Sequence, residues 1–139
     1  MQYRAPHCRL VVIAGLMLAL GSAPLTGCSS DDDPEPTLQV MTPAELDAAL
    51  ADKDFLLINV HVPHDGEIPG TDAHLTYLDA AAIAAYIGDD RSTPVVIYCK
   101  SDHMTDIVGP ELVAMGYSGV SYLEGGMNAW VAAGYTLDP

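Results

Sequence analysis

VVIYCKSDHM, residues Val95 to Met104, is an apolar run that leads directly into a polar loop. Val95 to Tyr98 are apolar without alternation, which is typical of a central strand covered on both faces of a sheet. Residues Thr105 to Met115 are predicted to form a helix, and Gly116 suits the position just beyond its end. The stretch therefore predicts a buried strand, a loop and a helix, with Cys99 at the carboxyl end of the strand.

Strands and helices alternate along the rest of the folded part. The further predicted elements are strands at Leu38–Met41, Phe55–Val60 and Val120–Leu123, helices at Thr42 to about Ala51, Asp79–Ile87 and Gly126–Ala133, and a long loop at His61–Asp72. Thr42, Pro43 and Glu45 have the pattern of a capped helix start. This alternation predicts an α/β fold, a mostly parallel sheet with helices on both faces. The chemistry of such sheets gathers at the carboxyl ends of strands, where Cys99 stands.

The first 27 residues have the three parts of a secretory signal. Arg4 and Arg9 give a basic start, Leu10–Leu20 an apolar stretch, and Gly21–Gly27 a tail of small residues. The apolar stretch is shorter than the roughly 20 residues that a membrane-spanning helix needs. We therefore expect residues 1–27 to be a signal peptide that directs export.

The end of this segment, Leu25-Thr26-Gly27-Cys28, resembles the bacterial lipobox. The resemblance implies that Cys28 is lipidated and that the chain is cleaved before it; an ordinary signal peptide with a chance cysteine is the alternative. Ser29 after the cysteine implies the periplasmic side of the outer membrane in a Gram-negative host. Residues 28–36 are then a lipidated cysteine and an acidic tether. We expect an exported protein that is lipid-anchored to the cell envelope.

Length and charge limit what residues 37–139 can be. Their length suits a single domain. The whole sequence has 19 Asp and Glu against 5 Lys and Arg, a net charge of −14. Such a surface repels phosphate backbones, which excludes nucleic acid as a partner. It also disfavours docking on anionic headgroups, so we expect membrane contact through the lipid anchor only.

Cys99 is the only free thiol once the signal is removed and Cys28 is lipidated. A tight loop that leads into a helix directs several backbone N–H groups inward, and the helix dipole adds positive charge there. Residues 100–104 are predicted to form such an anion cradle and to hold Cys99 largely as thiolate. Lys100 and His103 add positive charge beside it. The alternative is a buried structural cysteine at a strand end.

Similarity to a known family covers essentially the whole folded part, from Leu38 to about Leu137. The chain resembles a rhodanese domain in VVIYCK (95–100), LVAMGY (112–117), VSYLEGG (120–126), WVAAG (130–134) and, upstream, LLINVH (56–61) and EIPG (67–70). The resemblance implies a three-layer rhodanese-like fold over residues 37–139. Its mostly parallel central sheet would have about five strands, with helices on both faces.

The same resemblance implies sulfur transfer through Cys99. The thiolate would take the outer sulfur of a donor such as thiosulfate, become a persulfide, and pass that sulfur to a thiol or to cyanide. No metal or organic cofactor is needed. The amides around the anionic sulfur would be those of Lys100, Ser101, Asp102, His103 and Met104. The equivalent of the His61–Asp72 loop often lies above the cysteine in rhodaneses, which makes His61 and His64 candidates for a donor site.

Three departures from the family pattern bear on this function. Asp102 stands where glycine is frequent; Asp tolerates a positive φ at modest cost, but its carboxylate would oppose a thiolate unless it points away. Met104 replaces Arg, Ser or Thr and offers no hydrogen bond to a donor oxyanion. Asn59 and His61 replace an Asp and an Arg that brace the fold. The first two changes bear on the use of thiosulfate, and the third bears on stability.

Two other kinds of site are disfavoured. A cysteine phosphatase has an arginine six residues after the cysteine, where this chain has Thr105, so a phosphoryl dianion would lack its bidentate partner. Candidate metal ligands are His61, His64, His74, His103 and Cys99. Two loop histidines three residues apart are a weak signal, so we expect no metal site.

Three functions remain open. The first is a catalytic sulfurtransferase that acts through Cys99. The second is a persulfide carrier whose partner is another envelope protein. The third is a binding module that keeps the fold without the activity. Retention of Cys99 favours the first two, whereas Asp102 and Met104 keep the third open.

Overall fold

The computed structural model describes residues 36–139. The predicted signal peptide (1–27), the lipidation site Cys28 and all of the tether except Pro36 lie outside the described residues, so these three remain predictions. Within residues 36–139, no helix combines the length and the apolar character that crossing a membrane requires.

Five strands and four helices alternate in the described part of the chain. They are β1 Gln39–Met41, α1 Pro43–Leu50, β2 Leu56–Asn59, β3 Ala73–His74, α2 Ala80–Ile87, β4 Val95–Tyr98, α3 Thr105–Ala114, β5 Val120–Leu123 and α4 Gly126–Ala132. Every element that the sequence predicted is present, with its ends shifted by at most one residue. The capped start of α1 is confirmed, since Thr42 N–H donates to Glu45 Oε2 at 2.8 Å and Glu45 N–H donates to Thr42 Oγ1 at 3.3 Å.

The sheet is parallel throughout, in the order β1-β5-β4-β2-β3. β4 lies at its centre, where Val95 is opposite Leu56 of β2 and Val120 of β5. Because its neighbours run in the same direction, the carboxyl end of β4 lies at the edge where loops leave for the helices. The predicted parallel α/β fold is confirmed, and Cys99 follows the central strand.

Helices cover both faces of the sheet. The core between the sheet and helices α2 and α3 includes Ile97 and Cys99. The core on the other side, between the sheet and helices α1 and α4, includes Tyr98 and Trp130. The faces alternate along β4 because successive side chains of a strand point to opposite sides. Full burial of a side chain such as Ile97 contributes about 2 kcal/mol to folding. The three-layer arrangement is therefore as expected, with Cys99 on the α2 and α3 side.

The strand that the sequence did not predict is β3, which is two residues long. On one side of it, Asp72 N–H donates to the Leu57 carbonyl oxygen at 2.8 Å. On the other, Leu75 N–H donates to the Asn59 carbonyl oxygen at 2.9 Å. These bonds attach the end of the long loop after β2 back to β2, so the loop is fixed at both ends beside the carboxyl edge of the sheet.

Candidate active site

Cys99 is the first residue after β4, and its side chain is buried, with 1% of its surface exposed. It is a free cysteine that packs in the α2 and α3 side of the core. Its Sγ donates a hydrogen bond to the backbone carbonyl of Ser101. The thiol therefore lies at the base of the following loop rather than on the surface.

Residues 100–104 form the loop between Cys99 and α3. Among the residues that the structure describes, no protein acceptor receives a hydrogen bond from their five backbone N–H groups. Thr105, which is fully buried, closes the loop by donating from Oγ1 to the Asp102 carbonyl oxygen at 2.8 Å. The loop thus offers a row of unpaired donors next to the thiol. The group against Sγ is nevertheless a carbonyl, so an amide cradle around the sulfur stays a prediction.

The start of α4 holds the backbone on which Cys99 stands. Met127 N–H donates to the Cys99 carbonyl oxygen at 2.9 Å, and Asn128 N–H donates to the Lys100 carbonyl oxygen at 3.0 Å. Gly126 has a φ of +56°, and a Cβ at this position would overlap the Cys99 carbonyl. Glycine is therefore what allows α4 to come this close to Cys99.

The carboxylate of Asp102 binds the turn that precedes α4. Its Oδ1 accepts a hydrogen bond from Gly125 N–H at 2.6 Å. The sequence left open whether this carboxylate faces the sulfur, and the hydrogen-bond partner that the structure gives it is Gly125. From residue 36 to 139, no residue other than glycine has a positive φ. The backbone at Asp102 therefore does not require the glycine that the family often has there.

The other loop residues differ in exposure. Lys100, Ser101 and His103 are exposed, whereas Met104 is half-buried and packs against the core. Lys100 Nζ forms an ion pair with the carboxylate of Asp65, with both side chains about half exposed. The hydrogen bond and the charge of Lys100 hold the pKa of Asp65 below its ordinary value. The charge of Lys100 is therefore compensated by Asp65, a partner that the sequence did not indicate.

Asn59 braces the start of the loop that carries the two candidate histidines. It is fully buried at the end of β2. Its Oδ1 accepts from His61 N–H at 2.9 Å, and its Nδ2 donates to the Gly66 carbonyl oxygen at 3.2 Å. A neutral amide thus provides both an acceptor and a donor where the family has a carboxylate, and the loop remains braced.

Three histidines lie together on this loop and on β3. His74 Nε2 is hydrogen-bonded to the His61 carbonyl oxygen, and the rings of His64 and His74 meet edge to face with centroids 4.9 Å apart. Burial lowers the pKa of His61, and the charge of Asp65 acts in the opposite direction. Within residues 36–139, neither His61 nor His64 is hydrogen-bonded to Cys99. Their place in a donor site stays a prediction.

The described residues contain no group of three His, Cys, Asp or Glu side chains placed to hold a metal ion. Two surface grooves of about 630 and 510 Å³ lie elsewhere. One is between α1 and Trp130, and the other is beside Phe55 and Tyr86. Neither is lined by any residue from 99 to 104. The candidate site is therefore the thiol with its loop, not a deep cleft.

The sequence model of the rhodanese-like domain matches residues 42–133 of the chain. The chain belongs to the rhodanese-like family. The match runs from α1 to α4 and includes Cys99 with the loop 100–104, so the family resemblance drawn from the sequence is confirmed.

Solved structures share this rhodanese-like fold. The rhodanese-like domain of an Anabaena protein is 24% identical, with a TM-score of 0.63, over 73% of this chain and 80% of that one. A rhodanese-related protein from Thermoplasma volcanium is 18% identical, with a TM-score of 0.59, over 71% of this chain and 96% of that one. A Rhodopseudomonas palustris protein of unknown function, named a possible tyrosine phosphatase, is 22% identical, with a TM-score of 0.59, over 73% of this chain and 85% of that one. A comparison with curated proteins gave no match.

Proposed function

We propose that the protein is a sulfurtransferase that moves a sulfane sulfur from a donor such as thiosulfate to a thiophilic acceptor through a Cys99 persulfide. Membership of the rhodanese-like family supports this reaction class. The observation that carries the proposal is a thiol at the end of the central strand, followed by five backbone N–H groups that have no acceptor in the described chain.

The proposed reaction has two steps and conserves electrons. The Cys99 thiolate attacks the outer sulfur of thiosulfate; an S–S bond to Cys99 forms, the bond between the donor sulfurs breaks, and sulfite leaves with the electron pair. Cyanide or a thiolate then attacks the outer sulfur of the persulfide. The acceptor leaves as thiocyanate or as a new persulfide, and the Cys99 thiolate is restored. Both steps place negative charge on sulfur, which the site must stabilise.

The loop geometry supports this stabilisation. An S–S bond is about 2 Å long, so the outer sulfur of the persulfide lies about 2 Å beyond Sγ, which itself contacts the loop at the Ser101 carbonyl. Hydrogen bonds from N–H groups to an anion are about twice as strong as neutral ones, and they act most strongly where water is excluded. The contact from Sγ to the Ser101 carbonyl belongs to the neutral thiol, because a thiolate has no proton to donate. Ionisation therefore requires this carbonyl to turn away.

The arrangement does not favour phosphate chemistry, although one structural neighbour is named a possible tyrosine phosphatase. A phosphoryl dianion is held best by the bidentate donors of a guanidinium group. The single arginine in residues 36–139, Arg91, stacks on the Tyr117 ring at 4.2 Å. Thr105, six residues after the cysteine, is buried and bonded to the Asp102 carbonyl. A monoanionic sulfur suits the loop better than a phosphoryl group.

Persulfide formation tests the proposal. The purified protein is incubated with thiosulfate, and its intact mass is measured before and after cyanide is added. We expect a gain of one sulfur atom, which cyanide removes as thiocyanate. Cys99→Ser is nearly isosteric and is the matched control, since it keeps the fold and must gain no sulfur.

The choice of donor separates the proposal from its two alternatives. Sulfur gained from an alkyl persulfide but not from thiosulfate indicates a persulfide carrier, whose acceptor would be an envelope protein. A chain that gains no sulfur from either donor is a binding module, and this result overturns the proposal.

We also propose that lipid on Cys28 anchors the protein to the cell envelope. The signal-like residues 1–27 and their lipobox-like end support this location. In a bacterium that processes lipoproteins, the wild-type chain should partition into the detergent phase of a Triton X-114 extract, and Cys28→Ser should stay in the aqueous phase. Cys99→Ser leaves the lipobox intact and should partition as the wild type does. Identical behaviour of wild type and Cys28→Ser contradicts the anchor.

A further inference from the structure

One side chain joins the active loop to the turn before α4. Asp102 Oδ1 accepts a hydrogen bond from Gly125 N–H at 2.6 Å. The other two bonds of this contact, from Met127 and Asn128, end on backbone carbonyls and involve no side chain. Within residues 36–139, Asp102 is the only residue of the loop 100–104 whose side chain binds this part of the chain.

The bond from Gly125 to Asp102 has the features of a strong one. Its acceptor is a carboxylate, and such charge-assisted bonds are shorter and about twice as strong as neutral ones. Asp102 is half-buried, which limits competition from water.

We propose that Asp102 is a positioning residue for the Cys99 persulfide. By binding Gly125 N–H, it fixes the conformation of residues 100–104 and keeps their unpaired N–H groups where the outer sulfur lies. The inference rests on the proposed sulfur transfer and deepens it. Asp102, which departs from the family pattern, then contributes to the site. Its carboxylate is bound by Gly125 N–H and does not act on the sulfur directly.

Two substitutions of Asp102 separate the hydrogen bond from the charge. Asp102→Asn keeps an acceptor oxygen of the same shape and loses the charge, whereas Asp102→Ala loses both. Asp106→Ala is the matched control, since it removes an exposed carboxylate four residues further on that has no hydrogen-bond partner in the described chain. All variants are studied as full chains in detergent, and the second-order rate constant of persulfide formation is measured from intact mass.

The rate constant should fall about tenfold in Asp102→Ala, which corresponds to the loss of one hydrogen bond to a charged group. Asp102→Asn should lose about threefold, because a neutral amide acceptor keeps the bond at about half its strength. Asp106→Ala should stay within about twofold of the wild type, because the Asp106 carboxylate does not bind Gly125. Equal losses in Asp102→Ala and Asp102→Asn would show that the charge matters and not the bond, and would overturn the inference. Unchanged rates in all variants would overturn it as well.

Two further measurements detect the hydrogen bond between Gly125 and Asp102 without relying on sulfur transfer. In the wild-type chain, the Gly125 amide should be protected from hydrogen exchange, and this protection should be lost in Asp102→Ala and largely kept in Asp102→Asn. The rate of alkylation of Cys99 by uncharged iodoacetamide, taken across pH, should change in Asp102→Ala and not in Asp102→Asn. If the wild type forms no persulfide, the proposed function fails, and these two readouts still decide the positioning role. A Gly125 amide that exchanges equally fast in the wild type and in Asp102→Ala overturns it.

Discussion

Gly126 sets how closely α4 approaches Cys99, and its replacement tests that contact. A Cβ at Gly126 would overlap the Cys99 carbonyl and lie 2.9 Å from the carbonyl carbon of Lys100, and the φ of +56° is itself unfavourable for alanine. We expect Gly126→Ala to lower the free energy of unfolding by about 3 kcal/mol and to abolish persulfide formation. Gly134→Ala is the control, because Gly134 has a φ of +96° and nothing within 4 Å. Gly134→Ala should lower the free energy of unfolding, measured in urea, by only about 1 kcal/mol, and it should keep the activity.

The ion pair of Lys100 and Asp65 gives a pH-dependent signal. Lys100 lowers the pKa of Asp65, so the contribution of the pair is present at neutral pH and is lost as the pH falls through the lowered pKa. In Lys100→Met, the pKa of Asp65 followed by NMR should rise toward its ordinary value. Lys53→Met removes a lysine that is paired with Asp72 and should leave the pKa of Asp65 unchanged. A pKa of Asp65 that is the same in wild type and Lys100→Met contradicts the pair.

At the scale of single residues, the sequence indicated the position of Cys99 and its loop but not the residues that the loop binds. Cys99 and its loop follow from the change of an apolar run into a polar one. The partners of the loop are Asp65, 35 residues before Lys100, and Gly125, 23 residues after Asp102. Hydrogen bonds over such separations depend on how the elements pack, and no periodicity in one sequence records them.

Tyr98 connects β4 to the loop that carries the histidines. Its hydroxyl accepts from Ile68 N–H at 3.0 Å and is hydrogen-bonded to Thr71 Oγ1 at 2.7 Å. Tyr98→Phe leaves the buried Ile68 N–H without an acceptor, and we expect unfolding in urea to become easier by about 2 kcal/mol. The Tyr86 hydroxyl is exposed and donates to the Asp72 carbonyl oxygen. Tyr86→Phe should therefore change the free energy of unfolding by less than about 0.5 kcal/mol. Equal effects of the two substitutions would contradict a connecting role for Tyr98.

At the scale of elements, apolar pattern and capping signals were sufficient for eight of the nine. The buried run Leu56–Asn59 and the capped start at Thr42 are local features, and the chain follows them. β3 differs because Ala73 and His74 have neither an apolar run nor strong strand propensity. It exists because its backbone completes the edge of β2, so only the assembled sheet defines it.

Across the whole molecule, negative charge prevails and bears on any anionic donor. The sequence has 19 acidic residues against 5 Lys and Arg, a net charge of −14. In the described part, Lys53 and Lys100 are each paired with an aspartate, and Arg91 stacks on Tyr117. Thiosulfate is therefore repelled as it approaches, and screening by salt shortens the reach of this repulsion.

Salt should consequently accelerate the reaction with thiosulfate. The Debye length falls from about 30 Å at 0.01 M to about 8 Å at 0.15 M ionic strength, so the second-order rate constant of persulfide formation should rise about twofold over this range. An uncharged sulfane donor is the matched control, and its rate constant should not respond, because no long-range force acts on it. A rate constant for thiosulfate that falls steeply with salt would show that Lys100 and His103 govern the field at the loop, despite the charge of the molecule around them.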